Sequence, residues 1–100
     1  KDNEFDLVFT THVLIHLDPD KISTALKEIY RCSGKYIFGN EYYADNLTEI
    51  KNYNGQNNIA WKRNFSELYS ELFPDLSLIK EERYPYLSNN NVDTAFLFEK

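Results

Sequence analysis

Methionine is absent from this 100-residue chain, and cysteine, tryptophan, glycine and proline are scarce, at one, one, three and three residues. The lack of methionine goes with an abrupt start, where charge-rich Lys1–Glu4 runs straight into the apolar Phe5–Thr10. That combination leads to the expectation of a piece of a larger domain; a short protein with a trimmed end is the alternative. A lone Cys32 excludes an internal disulfide. No apolar run approaches the roughly 18 residues that a membrane-spanning helix needs. No basic segment precedes an apolar stretch at the start, so no secretory leader is visible, and the cytoplasm is the expected compartment. Positive charge is also in deficit. The formal net charge is -5, which removes the overall electrostatic drive for nucleic-acid binding.

What remains is apolar and aromatic. Hydrophobic residues make up 42%, including seven Phe and eight Tyr, too many for a disordered segment. A chain of this length buries roughly two-thirds of its unfolded surface, enough for one small core.

Phe5–Thr10 is short, apolar and flanked by polar residues, which predicts a buried strand with Asp6 near its entry. Thr11–Leu17 turns out of it. Asp18-Pro19-Asp20 predicts a helix start, with Asp18 as the cap and Pro19 in the first turn. Ile22, Ala25, Leu26, Ile29 and Tyr30 then form one apolar stripe. Ser33-Gly34 predicts the helix end, with Gly34 in a left-handed conformation. Tyr36–Glu41 reads as a second strand, so strand, helix and strand suggest a parallel crossover. Residues 42–60 show no period and read as a long loop. Asn64 predicts the cap of a helix over Phe65–Phe73, stopped by Pro74-Asp75. Leu76–Tyr84 reads as a strand with Leu76, Leu78 and Lys80 on one face. Ser88–Asn91 is a turn, and Thr94–Glu99 is a last, apolar strand. The order β-α-β-loop-α-β-β with an antiparallel closing hairpin is an α/β class.

Phe5-Asp6-Leu7-Val8-Phe9-Thr10-Thr11-His12-Val13-Leu14-Ile15-His16-Leu17 resembles the fourth strand and following turn of class I S-adenosylmethionine-dependent methyltransferases. Val13, Leu14, His16 and Leu17 match that family's "VL-x-H-[ILV]" segment. The resemblance implies the C-terminal half of a Rossmann-like sheet, strands four to seven, with the last strand antiparallel between its neighbours. It also implies S-adenosylmethionine as cofactor, although the glycine-rich turn and ribose-binding carboxylate of that family lie in the half not seen here. Gly34, Gly39 and Gly55 are too far apart to form such a turn. A narrower likeness, carried by "TTHVLIHLDPD", "YIFGNEYY" and "KRNF", is to methylases associated with pseudaminic acid and other surface-sugar biosynthesis. Asn64 stands where that last element commonly has Asp.

Ligands of open α/β sheets bind at the carboxyl ends of the strands. By resemblance, Thr10, Thr11, His12 and Val13 border the cofactor; a polar strand end bonded to its own turn is the alternative. His16 is a candidate general base or a packing histidine. Glu41 is a candidate base or substrate orienter, and Asn40, Tyr42 and Tyr43 are candidate substrate contacts; ordinary strand-end polarity is the other reading. Arg63 has the donor fork to grip phosphate or carboxylate, or is simply solvated. Trp61 is a stacking platform or core. His12 and His16 have the spacing of a metal pair, but Val13 stands where a zinc-hydrolase motif has glutamate and no third ligand follows, so no metal is expected. The expected function is part of a methyltransferase acting on a small molecule such as a sugar or sugar nucleotide, with no nucleic-acid or membrane partner. A noncatalytic domain that self-associates through a bare sheet edge is the alternative.

Overall fold

The computed structural model describes residues 1–100, and its frame is one four-stranded sheet. Strand β1 (Phe5–Thr11) pairs parallel with β2 (Ser33–Tyr42). Helix α1 (Ile22–Cys32) makes the crossover between them. After the loop come helix α2 (Phe65–Leu72), β5 (Ser77–Pro85) and β6 (Val92–Glu99). Strand β6 lies antiparallel between β2 and β5, giving the order β1-β2-β6-β5. The expected topology is therefore present in full. The long loop holds one small ribbon, β3 (Thr48–Glu49) against β4 (Trp61–Lys62), which the unpatterned sequence did not announce.

Both helices supply the core on one face of the sheet. Ile22 and Leu26 of α1 and Phe65 and Tyr69 of α2 pack with Leu14, Ile15, Ile37, Phe96 and Phe98. Gly39 sits under the Phe96 ring, where an added Cβ would overlap the aromatic carbons. That ring has no room to yield, since Tyr69 and Phe98 pack against it with centroids at 5.7 and 5.8 Å.

Four expectations need correction. Strand β1 is not buried: Phe5, Leu7 and Phe9 are 52%, 48% and 65% exposed, because no helix covers their face. Helix α1 begins at Ile22, and Asp18 does not cap it. Asp18 instead accepts the Asp20 N–H at 2.8 Å, and its carbonyl accepts the Lys21 N–H, forming a turn that holds Pro19 outside the helix. Gly34 is not left-handed, since α1 runs directly into the extended Ser33. Glycine fits there because a Cβ would lie 3.0 Å from the Asn3 carbonyl oxygen. In β5 the register shifts between Leu78 and Lys80, so Lys80 pairs with Leu97 on the face opposite Leu78.

Candidate functional site

The carboxyl ends of β1 and β2 and the start of β6 meet at one edge. Because β6 runs antiparallel, its first residues lie beside the last of β2: Thr94 opposite Glu41 and Asp93 opposite Tyr42. Alternation then sorts these residues onto two faces. Thr10, Glu41 and Thr94 fall on the helix-covered face and Asn40 on the open one, while Tyr42, at the end of β2, still packs against the core.

Glu41 is the centre of the covered set and is fully buried. The residues after β1 fold back over it as a short 3-10 turn, Leu14–His16. The Glu41 carboxylate accepts the Val13 N–H at 3.4 Å and the Ile15 N–H at 3.3 Å. Burial pushes its pKa up, against the opposing pull of Thr10, these two amides and His12. Tyr69, buried beside it, has its phenol pushed up by the same burial and by the Glu41 charge. The Thr10 and Thr94 hydroxyls are also buried, and neither reaches a protein hydrogen-bond partner in good geometry. Thr10 is still close enough to favour the charged form of Glu41.

On the open side stands a second group. His12 takes a positive φ of 51°, which few side chains adopt, and the chain turns sharply there. Its Nε2 lies 2.9 Å from Asp93 Oδ1. The Tyr86 hydroxyl donates to the other Asp93 oxygen at 3.0 Å. The Tyr42 ring packs on His12 with centroids at 4.6 Å, and Tyr86 packs edge-on against Tyr42 at 5.7 Å. Asp93 and Tyr86 did not stand out in the sequence. Their signal was the predicted topology itself, since the start of an antiparallel return strand must share an edge with the end of its neighbour.

The candidate residues thus divide. Thr11 and Val13 are exposed, His12 is half-buried, and the Thr10 side chain is buried on the core side. Tyr42 belongs to the His12 group, and Asn40 meets it through its carbonyl, which accepts the His12 N–H at 2.9 Å. Tyr43 is engaged elsewhere: it donates to Asp45, and the Arg83 guanidinium stacks over its ring at 3.9 Å. His16 lies apart, its Nδ1 bonded to the Ile59 carbonyl at 2.9 Å and its ring edge-on to Tyr53, so it ties the turn to the long loop. Arg63 borders a cleft at the start of α2 shared with Asp45, Glu67 and Glu71, acidic neighbours that disfavour an anion. Trp61 is half-buried in the β3–β4 ribbon.

Thr11 and Val13 offer exposed contacts at the strand end, and the turn at His12 presents them outward. No glycine turn or free carboxylate completes the pocket at that edge: Glu41 is buried and Asp93 is already bonded to His12 and Tyr86.

A family described as a methyltransferase domain matches residues 1–38. No curated protein sequence matches the chain. Among solved structures, the 1,6-didemethyltoxoflavin-N1-methyltransferase of Burkholderia thailandensis, bound to 1,6-didemethyltoxoflavin and S-adenosylhomocysteine, superposes with a TM-score of 0.77 at 17% identity. That match covers 100% of this chain and 45% of the Burkholderia protein. A SAM-dependent methyltransferase of Leishmania major matches with a TM-score of 0.59 and 20% identity, over 97% of this chain and 39% of that one. The chain therefore spans less than half the length of either structure, and over that span it has the fold of S-adenosylmethionine-dependent methyltransferases.

Proposed function

We propose that this chain is the C-terminal half of a methyltransferase that uses S-adenosylmethionine, with Thr11, His12 and Val13 lining the cofactor and Asn40 and Tyr42 facing the acceptor. The observation that carries the reading is the insertion of β6 between β2 and β5 together with the turn that presents Thr11–Val13 at the strand ends. The cofactor supplies an activated methyl group; the protein's share is positioning and, for an acceptor that must lose a proton, a base. The acceptor is a small molecule. The "NEYY" and "KRNF" elements favour a sugar or sugar nucleotide, while the Burkholderia structure, bound to a heterocycle, supports a small acceptor in general.

Calorimetric titration with S-adenosylmethionine tests this. The 100-residue chain alone should bind poorly, and a longer chain that adds the glycine-rich turn and ribose carboxylate should bind at micromolar strength. Each unmade hydrogen bond costs about 1–3 kcal/mol, and every 1.4 kcal/mol is about tenfold in affinity. Tight one-to-one binding by the 100-residue monomer would overturn the half-domain reading.

A second reading, a noncatalytic domain that pairs with another polypeptide, is favoured by one feature. Strand β1 is an unpaired edge carrying the exposed Phe5, Leu7 and Phe9.

A further inference from the structure

The two histidines of this chain are held in opposite senses. His16 Nδ1 faces the Ile59 carbonyl, which can only accept, so Nδ1 carries the proton. His12 Nε2 faces the Asp93 carboxylate, which also only accepts, so Nε2 carries a proton and, in the neutral tautomer, Nδ1 holds the lone pair. Asp93 is fixed from its other oxygen by Tyr86, and the His12 ring is fixed by Tyr42. The His12 side chain keeps 30% of its surface open at the strand-end edge. A ring nitrogen with a free lone pair, held by a carboxylate on its far side, is the arrangement of a general base and its orienting partner. The backbone holds it with an uncommon positive φ at His12, of the kind that collects at working sites.

We propose that His12 is the general base for methyl transfer and that Asp93 is its positioning residue, an assignment that rests on the methyltransferase reading above. The acceptor is then a neutral O–H or N–H. As the acceptor oxygen or nitrogen bonds to the methyl carbon, the carbon–sulfur bond breaks with its electron pair left on sulfur. The acceptor's proton passes to His12 Nδ1, and Asp93 stabilises the imidazolium that results. The other two candidate bases are differently occupied. Glu41 is sealed under the turn that it holds, and His16 is bonded to the long loop.

Ring nitrogen-15 spectra give the first test, because the chain has only two histidines. His12→Gln and His16→Gln assign the signals. With both rings neutral, His12 should be the Nε2–H tautomer and His16 the Nδ1–H tautomer. Asp93→Asn should redistribute the His12 proton toward Nδ1 and leave His16 unchanged. A His12 proton on Nδ1, or no response to Asp93→Asn, would overturn the proposal. The second test uses the longer chain, with labelled S-adenosylmethionine and two probes, 1,6-didemethyltoxoflavin for N–H and methyl glucoside for O–H. With S-adenosylmethionine held at saturation, so that any change in cofactor affinity drops out, His12→Gln should lower the rate of transfer to the accepted probe by about 100-fold or more. Transfer at the wild-type rate by that variant would exclude His12 as the base. Failure of the wild-type longer chain to bind S-adenosylhomocysteine would instead remove the methyltransferase reading, whatever the tautomers.

Discussion

A carboxyl group shut away from water is costly to ionise, and Glu41 is only 1% exposed. Its pKa is raised by that burial, so the folded chain keeps the Glu41 proton to higher pH than the unfolded chain does. Between the unfolded value of about 4.3 and the raised folded value, the folded state binds more protons, so stability must fall as pH rises. Below that window the penalty is absent, and above it the penalty is complete. Glu41→Gln removes the titration. Denaturant midpoints measured from acid to neutral pH should therefore show wild type losing ground to the variant as pH climbs through the window, then a constant difference. A pH-independent difference would mean that Glu41 does not titrate in a buried site. At this scale the sequence was only half informative. It marked His12, Glu41 and Tyr42 as strand-end residues, but burial divided them: Glu41 faces the helices and His12 faces outward. Asp93 and Tyr86 were not legible, because a polar residue opening a strand has no meaning until its neighbours across the sheet are known.

At the scale of elements, local chemistry predicted existence better than boundaries. Both helices were legible from their apolar stripes, and α2 also from its cap. The Asn64 side chain accepts the Glu67 N–H at 3.1 Å, the bond an N-cap is meant to make. Asp18 carries the same side-chain chemistry but serves a turn that ends before Ile22, and the helix starts behind Lys21 with no side-chain cap. Pro19 suited a first helical turn by its fixed φ; the turn closed by the Asp18 carbonyl suited it equally. The difference is measurable. Asn64→Ala should cost about 1 kcal/mol, the usual worth of a helix cap, while Asp18→Ala removes one bond in an exposed turn and should cost less. Chemical denaturation of both variants checks the ranking, with unchanged slopes required for the comparison to stand. A larger loss at Asp18 would mean that the turn, not α2, is the more critical local structure.

The whole molecule explains why the first strand misled. An apolar run such as Phe5–Thr10 reads as buried on both faces, as strands in parallel sheets usually are. In these 100 residues both helices lie on one face, and only Val8 and Thr10 of that run turn toward them. The other face carries the cross-strand line Phe9–Phe38–Leu97, with Phe9 exposed and Phe38 and Leu97 half-buried. A shallow cleft of about 290 Å³, with Lys80 and Glu82 in its lining, continues it past Ala95 to Tyr84. No helix is long and apolar enough to cross a membrane. Contiguous apolar surface of this kind marks a place where protein meets protein. The unpaired edge of β1 lies beside it. Two chains stacked face to face would bury the Phe9–Phe38–Leu97 line of each. The 100-residue chain should accordingly self-associate in a concentration-dependent way in sedimentation experiments. Leu7→Lys with Phe9→Glu places charges on the open face without touching the core, and should shift the chain to monomer while leaving its denaturation midpoint nearly unchanged. Dimers that persist in the double variant would move the contact away from β1, and a wild-type chain that stays monomeric at every concentration would show that this face is stable against water by itself.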